Sequence, residues 1–125
     1  MTPLKFRIWQ PHKAKMLQWI EVKTFWNLED FDRVSRGDSE AVIMQSTGIR
    51  DMNDELIYEG DVIRRGNWIA KIEWGEFSTH YDSTTGWVCH EEGNHEYGLT
   101  KDRSEDIEII GNIYQNPELL NLITT

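Results

Sequence analysis

The densest run of chemically able side chains is Trp87-Val88-Cys89-His90-Glu91-Glu92-Gly93-Asn94-His95-Glu96, with His80 a short way upstream. Thiolate, imidazole and carboxylate are the ligand types zinc takes, so His80, Cys89, His90 and His95 could surround one ion. The spacing argues otherwise. A structural zinc site shows two spaced ligand pairs, whereas here one cysteine stands among adjacent histidines. A solvated polar loop over residues 90–105 is therefore preferred, metal is the weaker alternative, and no cofactor is expected. A cysteine–histidine nucleophile fares no better. Consecutive residues of a strand point to opposite faces, which parts Cys89 from His90. The chain has no glycine-rich phosphate loop, nucleophile-elbow serine or zincin helix. Without a catalytic constellation, the expectation is a protein that is not an enzyme.

The elements that would position these residues are read from hydrophobic alternation. Leu4, Phe6 and Ile8 share one face of a first strand, and Lys5 and Arg7 the other. Pro11 breaks it, and alternation resumes over residues 15–22, with Met16, Ile20 and Val22 on one side and Leu17 and Trp19 on the other. Together they predict an N-terminal β-hairpin. Residues 25–40 mix Trp26 and Phe31 with acids and Gly37, and fit strand, short helix or loop. Ala41–Ser46 is the next strand, after which Gly48 permits a turn and Asn53-Asp54 a second. Leu56–Tyr58 and Val62–Arg65 follow, and Gly66-Asn67 has the order of a type II′ hairpin turn. The return strand Trp68–Trp74 sets Trp68, Ala70, Ile72 and Trp74 on one face, which reads as core. Phe77–Cys89 is further strand with Gly86 at a turn, and Gly111 bends the β-branched segment Asp106–Tyr114. Asn116-Pro117-Glu118 then opens a short C-terminal helix whose leucines dock on the sheet. Short strands with frequent turns predict a mainly β fold, a small barrel or curled sheet. Trp9, Trp19 and Trp26 lie where the inward face is less clear. Core is their preferred reading, and a partner-binding platform the alternative.

The chain has 125 residues, 13 Lys and Arg against 22 Asp and Glu, and a formal charge of −9. That length suits one domain over 1–125, with possible sub-lobes 1–55 (N-terminal β region) and 56–125 (barrel-like). No apolar run approaches the roughly 18 residues of a membrane span. No charged-then-apolar leader opens the chain, and the single Cys89 excludes an internal disulfide, so a cytoplasmic location is expected. The acidic balance makes nucleic acid an unexpected partner. The charge is uneven, however: +4 over residues 1–26, −7 over 27–61 and −6 over 62–125. Opposite-sign surfaces could pair within the fold or between subunits, although ordinary solubilising charge is the preferred reading. The ten acids of 27–61 motivate one alternative function, an acidic mimic of nucleic acid occupying a host DNA-binding protein.

Four stretches carry a resemblance. They are Lys5-Phe6-Arg7-Ile8-Trp9 with Lys15-Met16-Leu17; Met44 to Ile49 with Arg50-Asp51; Ile57-Tyr58-Glu59-Gly60-Asp61-Val62-Ile63; and Ile109 to Leu119. In that order the chain resembles the YopX family, small proteins of bacteriophages and prophages of Gram-positive bacteria. The resemblance implies a phage-encoded cytoplasmic protein, mainly β, with an SH3-like barrel around Tyr58–Ile63. It supplies no reaction. The motif residues Gly48, Tyr58, Glu59, Gly60, Asp61 and Gly111 read as a folding signature. Gly48 and Gly60 would meet backbone demands at turns, Glu59 and Asp61 would accept backbone N–H groups, and Gly111 would let the last strand bend. The leading expectation is a non-catalytic accessory protein, an interaction module that binds a protein partner and itself as a homo-oligomer.

Overall fold

Alternating strands sort into two antiparallel sheets in the computed structural model, which describes residues 4–78, 83–91, 95–99 and 101–123. The first sheet holds β1 (Phe6–Gln10), β2 (Lys15–Leu17), β3 (Val42–Arg50) and β4 (Leu56–Tyr58) in the order β2-β1-β3-β4. The second holds β5 (Asp61–Arg65), β6 (Trp68–Ser78), β7 (Ser83–Glu91), β8 (His95–Gly98) and β9 (Glu108–Asn112) in the order β8-β7-β6-β5-β9. The fold is mainly β. Its N-terminal hairpin sets Ile8 opposite Leu17 across a 3-10 turn at Pro11–Lys13.

The strand expected over residues 15–22 stops at Leu17. From Trp19 the chain is helical, α1 (Trp19–Phe25), and the Gln18 N–H donates to Glu21 Oε1 at 3.4 Å across the first turn. Helical geometry separates two residues that a strand would put together: Val22 is 1% exposed and Ile20 62%. The open segment after it contains α2 (Leu28–Ser35). Asn27 Oδ1 accepts the Asp30 N–H at 3.0 Å and Asp30 Oδ2 accepts the Asn27 N–H at 2.9 Å, a reciprocal cap. The helices lay Trp19, Trp26 and Phe31 over Ile8, Leu17 and Val22, forming one core.

The second core is built of Ile57, Ile63, Ala70, Ile72, Cys89, Leu99 and Ile107. Gly48 does not end β3. Its positive φ of +80° makes a bulge, and the register against β4 shifts between Ser46 and Arg50. The Gly66-Asn67 turn forms as expected, with Gly66 at φ +61° and Arg65 opposite Trp68. Ala70 and Ile72 are 1% exposed, but Trp68 and Trp74 are 55% and 56% exposed. The shared face is right and its extent is not, because the strand outruns the core at both ends. Gly86 lies inside the β6–β7 ladder opposite Gly75. It therefore makes no turn there. The expected loop 90–105 contains β8 and a 3-10 turn at Lys101–Asp106, and Glu91, Leu99 and Ser104 are buried. One short apolar repeat, Tyr97 and Leu99, is too little alternation to announce a strand among so many charges. The expected C-terminal helix is a 3-10 turn, Pro117–Leu122. Asn116 does not cap it with its side chain, because its Oδ1 accepts the Asn112 N–H at 3.3 Å. Leu119 and Leu120 are half-buried there, Ile123 is buried and Leu122 exposed.

Candidate functional site

Where the two sheets meet, β1 presents Arg7 on the face opposite Ile8, and β5 opens with Asp61. Gly60 bends the chain between β4 and β5 at φ +86°, a conformation other residues resist. A side chain there would also meet Tyr114 at 3.1 Å. The bend folds the Asp61 carboxylate back. Its Oδ2 accepts the Tyr58 N–H at 2.8 Å and its Oδ1 accepts Arg7 Nη2 at 2.6 Å. The same Nη2 reaches the Glu59 carbonyl at 3.4 Å, and the guanidinium lies 4.8 Å from the centre of the Tyr58 ring. Burial pushes Asp61 above the usual carboxylate range, although Arg7 and the Tyr58 N–H pull the other way. Burial likewise raises the Tyr58 phenol. Nearby, buried Asp51 accepts the Asn53 and Glu55 N–H groups at 2.9 Å each on Oδ1 and the Ile109 N–H at 3.0 Å on Oδ2. These groups, with Lys5, Trp19 and Arg50, line a cleft of about 540 Å³. A general base needs a free acceptor. Here each oxygen of Asp51 and Asp61 already accepts at least one hydrogen bond, and through Arg7 and Asp61 the cleft floor ties the sheets together.

The other distinctive region is the β6–β7 ribbon. β5 pairs with β6 over Trp68–Lys71, and the Gly60 N–H reaches the Ile72 carbonyl. β8 pairs with β7 from Val88 onward, and the Leu99 N–H reaches the Trp87 carbonyl. Beyond those points, residues 75–78 and 83–86 pair only with each other among the described residues. They form a two-stranded arm. At its base Trp74 meets Trp87 edge-to-face, with ring centres 5.0 Å apart. Trp87 is packed against the second core, while Trp74 stands in solvent.

A family model described as YopX protein matches residues 5–121, from the first strand through most of the terminal turn. The chain belongs to the YopX family. The crystal structure of protein EF1440 from Enterococcus faecalis is similar to this YopX chain, with a TM-score of 0.56 and 18% identity, covering 96% of this chain and 99% of that one. At that identity the likeness is one of fold. No curated protein matches the chain.

The sequence-predicted residues of this YopX chain fall into three groups. The motif residues are spread over both sheets. Gly48 bulges β3, and Tyr58, Gly60 and Asp61 build the tie. Gly111 sits where a Cβ would lie 2.6 Å from Asn116 Oδ1 and 2.8 Å from Leu119 Cδ1. Glu59 contributes through its backbone, its N–H donating to the Gln45 carbonyl at 3.0 Å. Its carboxylate accepts no backbone N–H among the described residues. The three proposed platform tryptophans do not come together as an exposed face. Trp19 and Trp26 pack on the first core, and Trp9 stacks on Tyr114 with ring centres 6.4 Å apart. The exposed indoles are Trp68 and Trp74.

The metal alternative does not assemble as drawn. Cys89 is fully buried beside Ile72, and His90 lies on the opposite sheet face. His80 lies outside the described residues, and of His95 only the backbone, opposite Glu91, is described. His90 Nδ1 instead sits 3.1 Å from Glu96 Oε1 and 3.7 Å from Glu73 Oε1. Reading along the chain missed Glu73, because only the register of β6 against β7 brings it near. Arg7 was also missed as a site residue. An arginine alternating with Phe6 and Ile8 in a strand was its one available signal.

Proposed function

We propose that this YopX-family protein is a non-catalytic, phage-encoded accessory protein of the host cytoplasm. It acts as a protein-interaction module, using the β6–β7 arm to bind protein partners and a second copy of itself. The observation that carries this reading is the arm: two strands whose outer edges are unpaired among the described residues, with a half-exposed tryptophan at their base. Unpaired edge N–H and C=O groups template strand addition, and tryptophan is enriched in interface anchors. The phage origin rests on the family resemblance. The cytoplasmic location is supported by Cys89, a single buried cysteine in the chain with no second one for an internal disulfide. No helix among the described residues is long and apolar enough to cross a membrane. The SH3-like description of the β5–β9 sheet belongs to the same reading, supported by its five antiparallel strands and the tight β5–β6 hairpin.

The nucleic-acid mimic gains no support. It needs the acids of 27–61 on one exposed face, yet Asp51 and Asp61 are buried, and Asp32 and Asp38 both pair with Arg36. Sedimentation equilibrium tests the favoured reading. Wild type should self-associate with rising concentration, and Trp74→Ala should shift it toward monomer without lowering its thermal midpoint appreciably. A wild type that stays monomeric, with no host protein retained that Trp74→Ala releases, overturns it.

A further inference from the structure

The sheet face opposite the second core carries a cluster unrelated to the arm or the junction. Lys71 lies opposite His90, and His90 opposite Glu96, across β6, β7 and β8; Glu73 lies opposite Val88, diagonal to His90. Glu73, His90 and Glu96 each offer one donor atom, and the three atoms lie within 4.8 Å of one another. We infer that Glu73, His90 and Glu96 form a binding site for a first-row divalent metal ion, with zinc the best match to the donor set.

The donors suit such an ion in type, spacing and charge. Imidazole with two carboxylates is an N/O set that zinc accepts, and two carboxylates balance its charge. A tetrahedral zinc with ligand bonds of about 2.0–2.2 Å places neighbouring donor atoms roughly 3.3–3.5 Å apart. His90 Nδ1 stands 3.1 Å from Glu96 Oε1 and 3.7 Å from Glu73 Oε1, on either side of that spacing. Three ligands from three neighbouring strands sit on a hydrogen-bonded frame, which fixes their backbones before any ion arrives. All three side chains are part-exposed, so an ion can enter from solvent and keep outward positions for water. Lys71 opposes binding. Its Nζ lies 3.7 Å from Glu73, but from Oε2, which leaves Oε1 for the ion. Its charge weakens the site without occupying it. The exposed His12–Glu40 pair, 3.1 Å apart, has two donors among the described residues and serves as an internal control.

Titration of the full chain with zinc chloride, followed by isothermal calorimetry, tests the inference. Wild type should bind one equivalent saturably. His90→Ala and Glu96→Gln should each weaken binding by at least about tenfold, since even outer-shell losses cost that much. His12→Ala should leave it unchanged. Lys71→Met should tighten it, a gain that no loss of fold can imitate. No saturable binding by wild type, or His90→Ala binding as tightly as wild type, overturns the site.

Discussion

The sheet junction and the β6–β7 arm are built on opposite physical terms. At the junction, Arg7, Tyr58 and Asp61 are buried, and an ion pair, a backbone hydrogen bond and a cation–π contact link them. In the arm, two strands pair only with each other among the described residues, and an indole is left in water. Such a ribbon is marginally stable alone and gains most from a third strand or a covering surface. The contrast separates the residues that hold this fold from those free to meet a partner. The family motif belongs to the first set. Its Asp61 carboxylate is engaged by a backbone N–H and an arginine.

The largest effect should come from breaking the junction. Arg7→Ala leaves Asp61 buried without its cation, and the loss should reach about 3–5 kcal/mol in urea unfolding at neutral pH. Asp61 is already pushed up by burial, and removing Arg7 raises it further. A carboxyl raised in the folded state binds its proton more tightly there than in the unfolded chain. The variant should therefore recover part of its deficit as pH falls toward the ordinary carboxylate range. A deficit independent of pH would show that Asp61 is not the group left stranded.

Gly111→Ala comes next, at about 1–3 kcal/mol, because the new methyl must displace Asn116 and Leu119 from the last strand. Its unfolding midpoint beside that of Gly75→Ala, where nothing lies within 4 Å of the added carbon, separates crowding from a general glycine effect. A third effect is alkaline. Burial raises the phenols of Tyr58, Tyr97 and Tyr114 above their ordinary value. The unfolded chain would ionise first, so stability should fall as pH rises past about 10. Phenolate absorbance should lag until the protein unfolds. The smallest change in stability should be that of Trp74→Ala, about 1 kcal/mol or less, chiefly the edge-to-face contact with Trp87. A loss as large as that of Arg7→Ala would erase the distinction between the regions.

How much was legible in the sequence follows the same division. Alternation over Leu4–Trp9 and the Gly66-Asn67 turn announced local structure that depends on neighbouring residues alone. The motif glycines announced backbone demands. Period two failed over residues 15–22, where cap residues at Gln18 and Glu21 start a helix that the hydrophobic pattern does not separate from a strand. It failed again at Trp68 and Trp74, because alternation gives a face but not where the core beneath it ends. The Glu73–His90–Glu96 cluster could not be read along the chain at all. It exists only through the pairing of three strands.

Hydrogen exchange measured at low and high protein concentration tests the central claim most directly. Amides of the junction, Tyr58 and Asp61 among them, should exchange only through global unfolding at either concentration. Amides of 75–78 and 83–86 should exchange fast when dilute and gain protection as the protein self-associates. Arm amides as slow as the junction when dilute, or unprotected at every concentration, would contradict the assignment of folding to one region and recognition to the other.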